Sequence, residues 1–198
     1  MFSRNVPGTT EALEKACVGL AGCGGLGSNA AVALVRAGVG SLILVDFDLV
    51  EESNLNRQYF FQADVGQRKC EVLAQRLRSI NPQVRLEVHD EKIVPGSVAR
   101  LFGTADLLVE AFDRAESKQW LIESWIAMGH DKKVVCGNGL SGCGHLEDLK
   151  VRRLGPIYFC GDGQTDMSLG LSAPRVAIVA NMQAAVAIEL LLEKAAQP

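Results

Sequence analysis

The sequence lacks any Cys-x-x-Cys pair, although it carries six cysteines, Cys17, Cys23, Cys70, Cys136, Cys143 and Cys160. A structural zinc site usually needs two such close pairs, and Cys143-Gly144-His145 is a poor substitute, so no zinc is expected. Nothing else marks a secreted chain, and the cysteines read as thiols rather than disulfides. No basic run occurs either: 20 Lys and Arg against 23 Asp and Glu leave a formal charge of -3. That balance gives no electrostatic footprint for nucleic acid or an anionic membrane, so any anion site must be local. Met1 to Pro7 hold no apolar signal-peptide core. No later stretch of about 18 residues is free of both charges and dense glycine, so no membrane span and a cytoplasmic location are expected. Internal repeats and low-complexity tracts are also missing.

What the sequence has is an alternation. Its 198 residues, 48% of them hydrophobic, suit one domain over 1–198 with one substantial core. A short helix capped by Thr9 or Thr10 leads into an apolar strand from Ala16 to Ala21, followed at once by glycines. An alanine-rich helix from Leu26 to Ala37 stops at Gly38, and Ser41 to Val45 is a strand apolar without alternation, as in a parallel strand covered on both faces. Residues 48–63 read as irregular. Cys70, Leu73, Leu77 and Ile80 then recur at helical spacing until Asn81-Pro82. Strands follow at Val84 to Val88, Ala105 to Val109 and Lys133 to Cys136, the last two separated by a helix from Gln119 to Met128. After a glycine-rich tract, short strands are expected near His145 to Val151 and at Ile157 to Phe159, before a final helix from about Pro174 to Lys194. The pattern predicts an α/β fold: a Rossmann-like, doubly wound, mostly parallel sheet with a short antiparallel extension near the C-terminus.

Gly22-Cys23-Gly24-Gly25-Leu26-Gly27 is a G-x-G-x-x-G between a strand and a helix, the context that the nucleotide fingerprint requires. Glycine allows a sharp turn and close backbone approach, and the helix start offers free N–H groups to phosphate. Close helix packing alone is the bland alternative. Asp46, ending the second strand, stands near the ~20-residue separation at which a carboxylate reaches ribose hydroxyls. The stretch Asp46-Phe47-Asp48-Leu49-Val50 runs into Ser53-Asn54-Leu55-Asn56-Arg57-Gln58. Arg57 offers a planar charged fork for phosphate, and Asn54 an amide of either polarity. Lys69 starts a helix, where the dipole disfavours a cation, so a nearby anion is expected: a triphosphate, Asp64 or Glu71. Asp113 follows another strand's carboxyl edge, where a lone carboxylate can hold magnesium together with phosphates and water, or else cap the next helix.

Together these residues resemble the ThiF/MoeB/HesA family, which includes the adenylation domains of ubiquitin-activating enzymes. The likeness rests on Gly22 to Ser28, Ala37-Gly38-Val39-Gly40, Asp46-x-Asp48-x-Val50, Ser53-Asn54-Leu55-x-Arg57-Gln58, Val65-Gly66-x-x-Lys69 and Asn81-Pro82, and continues through Gly155 to Cys160 and Met182-Gln183-Ala184. The resemblance implies that Gly22, Gly24, Gly25, Leu26, Gly27, Asp46, Asp48 and Gln58 line an ATP site. In it Asp46 holds the ribose, Asn54, Arg57 and Lys69 the phosphates, and Asp113 a Mg2+ ion. Phe2-Ser3-Arg4-Asn5 looks like a reduced form of the family's N-terminal motif, whose arginine reaches the other subunit's ATP; Arg4 inherits that role in a homodimer, with a disordered terminus as the alternative. The implied reaction is adenylation of the C-terminal glycine of a ubiquitin-like sulfur-carrier protein, with a sulfur donor acting afterwards. Catalysis falls to Arg57, Lys69, Asp113 and Arg4.

Two departures stand out. The family's zinc pairs are missing, with only Cys160 near one member's place, and the loop from Gly161 to Gly170 contains no cysteine. Thiol transfer is therefore not expected; Cys160 is the candidate to test, against a buried inert thiol. The implied carrier is ThiS-like, in thiamine biosynthesis. A MoaD-like carrier in molybdopterin synthesis and a tRNA-borne carboxylate are alternatives, and an NAD-dependent oxidoreductase or a non-catalytic partner subunit are readings from other classes.

Overall fold

The computed structural model describes residues 1–196; the last two residues of the unit expected over 1–198 lie outside them. The chain opens with α1 (Thr9–Lys15), β1 (Cys17–Ala21), α2 (Gly25–Ala37) and β2 (Ser41–Val45), and continues through α3 (Lys69–Ile80) into β3 (Arg85–His89). It then returns through α4 (Val98–Phe102) to β4 (Leu107–Glu110), α5 (Ala115–Ile126), β5 (Lys133–Gly137), β6 (Lys150–Leu154), β7 (Ile157–Gly161) and α6 (Ala173–Ala195). The strands lie in the order β3-β2-β1-β4-β5-β7-β6. All neighbours are parallel except β6 with β7, which form the antiparallel extension. From β1 the chain winds outward to β3, then crosses back to β4 and winds the other way. The β1–β4 boundary is thus a topological switch point, where neighbouring connections diverge and leave a crevice.

The period of two along each strand builds two cores. Val18, Leu20, Leu42, Leu44 and Val109 face one layer, packed with α2, α3 and α6. Ile43, Val45, Leu108, Val134 and Cys136 face the other, packed with α4 and α5. Gly19 in β1 admits the Phe102 ring, because a Cβ there would stand 2.6 Å from Phe102 Cδ1. By length and composition α6 could cross a membrane. Within this fold it packs into the core, with Val176, Val179, Ala180, Ala184 and Ala187 buried.

Local differences from the sequence reading have physical causes. Neither Thr9 nor Thr10 caps α1: the N-cap is Gly8 in the left-handed region, and the Thr9 hydroxyl donates back to Val6 O at 2.8 Å. The α5 helix starts at Ala115, four residues ahead of the expected Gln119, because its first turn, Ala115-Glu116-Ser117-Lys118, is mostly polar and hides the periodicity. The five-residue α4 is too short to show a period, although Val98, Leu101 and Phe102 bury one face. β6 begins at Lys150, not His145; His145 is left-handed at φ 48° and opens a single 3-10 turn.

Candidate functional site

The carboxyl ends of the strands enclose a cleft of ≈ 770 Å³, within the range of sites for molecules of nucleotide size. One wall is the turn after β1. Gly22 is left-handed at φ 100°, and a Cβ on Gly27 would stand 1.9 Å from Gly22 O. Gly27 is therefore fixed by close approach of helix to turn. Asp46, at the end of β2, accepts the Cys23 N–H at 2.6 Å and the Asp48 N–H at 2.8 Å, so it splints the glycine turn as well as facing the cleft. Burial raises its carboxyl above the ordinary range, opposed by those two N–H groups and by Lys69.

Two side chains of α2 that the sequence reading gave no role position the second wall. Asn29 Nδ2 donates to Gly25 O at 2.7 Å and to Arg57 O at 2.9 Å. The buried Ser28 Oγ accepts Tyr59 N–H at 3.0 Å. Both tie the segment 53–59 to the helix start, and the Arg57 Cγ comes within 3.6 Å of the position of a Cβ on Gly25. The polar character of Ser28 and Asn29 in the first turn of an otherwise apolar helix was the available signal. Arg57 Nη1 donates to Ser53 O and Asn56 Oδ1 at 3.0 and 2.7 Å, which sets the direction of its guanidinium. Gln58 lines the cleft, and its Oε1 is a buried acceptor without a partner among the described residues. A donor on a bound molecule would complete it.

Asn54 stands elsewhere. It is buried, does not line the cleft, and its Oδ1 accepts the Glu51 N–H at 3.1 Å, while its carbonyl receives the N–H groups of Arg57 and Gln58. These bonds make it a residue that folds the turn delivering Arg57. Lys69 does line the cleft and is 6% exposed. The anion beside it is Asp48 at 2.8 Å, not Asp64 or Glu71; Asp64 is paired with Arg76 at 2.6 Å. Arg4 is exposed near the far end of α2, where Asn5 Nδ2 donates to Ala37 O at 2.8 Å. A helix of 13 residues, roughly 20 Å long, separates it from the glycine turn, so it does not serve its own chain's cleft. Cys160 is fully buried in β7, and burial pushes its thiol up to about 12. That agrees with the buried inert thiol rather than the transfer thiol, since the thiolate is the nucleophile and burial disfavours it.

The far side of the cleft follows β4 and β5. Asp113 faces it, is exposed, and has no hydrogen bond or ion pair among the described residues. The α5 N-cap is Arg114, without a side-chain cap, so Asp113 is not spent on capping. No three His, Cys, Asp or Glu side chains gather as a ligand set among the described residues. A single unpaired carboxylate fits a cation that brings phosphate and water ligands with it. Below it, Glu110 pairs with Lys118 at 3.0 Å. The outer rim, Ser141 with Thr165, Asp166 and Met167, is clamped from beneath by Asp162. This carboxylate accepts N–H groups from Gln164 at 2.7 Å and Thr165 at 2.9 Å, and the buried Arg175 guanidinium at 2.5 Å. Arg175 also donates to Gly144 O.

A family model described as the ThiF family matches residues 2–198. The adenylyltransferase and sulfurtransferase UBA4 of Candida glabrata is 36% identical over 149 residues, 75% of this chain and 34% of that protein. The sulfur carrier protein adenylyltransferase of Thermus thermophilus is 31% identical over 200 residues, 94% of this chain and 73% of that protein. The chain spans about a third of the length of the UBA4 proteins it matches in Candida glabrata and Lodderomyces elongisporus. Among solved structures, E. coli tRNA N6-threonylcarbamoyladenosine dehydratase in complex with AMP superposes with a TM-score of 0.87 at 25% identity, covering 96% of this chain and 91% of that one. E. coli MccB with ATP shares the fold at a TM-score of 0.74 and 24% identity. On the family match across residues 2–198, this chain belongs to the ThiF family.

Proposed function

We propose that this chain binds ATP in the cleft and adenylates a carboxylate, that of the C-terminal glycine of a ubiquitin-like sulfur-carrier protein. The observation that carries the reading is the convergence on one cleft of the α2 N-terminus, Asp46, Gln58, Arg57, Lys69 and the unpaired Asp113. Relatives named as adenylyltransferases, one of them for a sulfur carrier, support it. A carboxylate oxygen attacks the α-phosphorus, the bond to the bridging α–β oxygen breaks, and pyrophosphate leaves with the electron pair. Arg57, Lys69 and the helix N-terminus hold the phosphates and offset the charge that develops on them, so positioning and electrostatics carry the rate and no enzyme nucleophile is required. Asp113 would hold Mg2+, whose charge assists the same departure. In this reading Arg4 reaches the cleft of a second copy, in a cytoplasmic homodimer. A ThiS-like carrier in thiamine biosynthesis comes first and a MoaD-like one in molybdopterin synthesis second.

A tRNA-borne carboxylate is the competing substrate, favoured by one specific observation: the likeness to the E. coli tRNA dehydratase covers 91% of that chain. Acceptor-dependent exchange of labelled pyrophosphate into ATP separates the two. Exchange driven by a Gly-Gly-ending carrier supports the first reading, exchange driven by tRNA the second. Tighter binding of NADH than of ATP would overturn both, in favour of a redox enzyme.

A further inference from the structure

One charged pair at the cleft floor has no part in the chemistry above. Glu110, the last residue of β4, is fully buried. Its two carboxylate oxygens lie 3.2 and 3.0 Å from Lys118 Nζ, which also donates to Gly137 O, at the end of β5, at 2.9 Å. Glu110 Oε1 accepts the Phe112 N–H at 2.6 Å. The segment from 110 to 118 is therefore closed on itself twice, once by a backbone N–H and once by a side chain eight residues on. Asp113 sits between the closures.

Lys118 lines the cleft, yet an ammonium has three N–H donors and all three are directed at protein oxygens. It has none left for a phosphate. Glu110 and Lys118 also cancel in charge, so Asp113 is the unpaired carboxylate that this segment presents to the cleft. A buried pair of this kind is weak evidence for stability, since desolvation offsets much of the attraction, but it fixes geometry firmly. Lys118 bonds to the ends of both β4 and β5, and the Phe112 ring packs on Trp120 at 5.8 Å between centroids. The turn is thereby held to the sheet edge on both sides of the acid.

We infer that Lys118 is a positioning residue for Asp113, its bonds to Glu110 and Gly137 fixing the turn from which Asp113 meets the cation that accompanies the nucleotide. This rests on the ATP-binding reading. The test is calorimetric titration of ATP into the whole chain with excess Mg2+ and with EDTA, the readout being the factor by which Mg2+ tightens ATP binding. Asp113→Asn should abolish that factor. Lys118→Met should reduce it about 10- to 100-fold, the usual effect of removing a support behind a metal ligand, while leaving metal-free ATP binding within about twofold. A merely structural role would weaken both. Because Lys118→Met strands a buried carboxylate, the double variant Lys118→Met/Glu110→Met removes both charges; it should fold and still lack the Mg2+ factor, whereas Lys118→Arg should restore most of it. A double variant with the full Mg2+ factor overturns the role of Lys118 and leaves the ATP reading standing. An Asp113→Asn variant that keeps the factor overturns the roles of both Asp113 and Lys118 with the ATP reading intact, whereas a wild-type chain that does not bind ATP overturns the ATP reading as well.

Discussion

Replacing Lys69 by Met separates a phosphate ligand from a counter-ion. Met matches the aliphatic stem that α3 buries, so packing survives, and only the ammonium and its 2.8 Å contact with Asp48 are lost. The Asp48 side chain is 48% exposed, so its carboxylate rehydrates, and breaking a pair with one solvated partner costs about 1 kcal/mol or less. In a chain of this size that lowers Tm by about 2–4 °C. The effect on ATP should be larger. A charge-assisted hydrogen bond contributes about 1.5–3 kcal/mol, a loss of roughly 10- to 150-fold in affinity at 1.4 kcal/mol per decade. Asp48→Asn sharpens the argument, because it releases the ammonium from its neighbour and removes a negative charge from the cleft wall. If Lys69 grips phosphate, that variant binds ATP at least as tightly as the wild type. The assay is isothermal titration of ATP with thermal unfolding as the control. A Lys69→Met protein that binds ATP within twofold of wild type, with Tm lowered by only those few degrees, would refute the phosphate role and leave Lys69 as a partner of Asp48 alone.

Gly27→Ala drives a methyl group to 1.9 Å from Gly22 O, backbone against backbone. The turn must open by about 1 Å, and the rate of ATP–pyrophosphate exchange should fall by about 100-fold, the scale of such a misplacement; a crystal structure with an intact turn would contradict this. Burial by itself raises the Asp162 carboxyl, but the N–H groups of Thr165 and Gln164, together with Arg175, more than reverse that and hold it at about 2. Against an unfolded value near 3.9, that shift contributes about 2–3 kcal/mol of stability, fully present above pH ~4 and lost as pH falls towards 2. In urea unfolding, Asp162→Asn should therefore show a deficit at pH 7 that shrinks below pH 4, and a deficit independent of pH would contradict the assignment. Among the thiols, the exposed Cys143 should react with a maleimide in the native protein, while the buried Cys23, Cys70, Cys136 and Cys160 stay unmodified until denaturant is added. Mass spectrometry of labelled peptides reads this directly, and fast native labelling of Cys160 would restore it as a transfer candidate.

The order of strands and helices was legible because each has its own repeat distance. The unbroken apolar run of Ser41 to Val45 and the helical spacing from Cys70 to Ile80 each bury against the sheet or its cover. The glycine turn was legible because Gly27 has no substitute at that approach. What failed lay where a signal is short or polar. The five residues of α4 span little more than one turn, the first turn of α5 is made of residues that any loop would carry, and His145 takes a backbone shape that its sequence does not advertise.

The sequence by itself determined the doubly wound sheet, the nucleotide-type turn and the family, since these depend on repeat distances and on residues fixed by their neighbours in the chain. Tertiary structure decided the pairings: Asp48 rather than Asp64 beside Lys69, Asn54 inside its turn, Cys160 sealed in β7, and Glu110, Lys118 and Gly137 joined beneath Asp113. Those choices turn on how strand ends, turns and helices pack together in three dimensions, and the order of amino acids carries no local trace of which of several nearby or distant groups a side chain will meet.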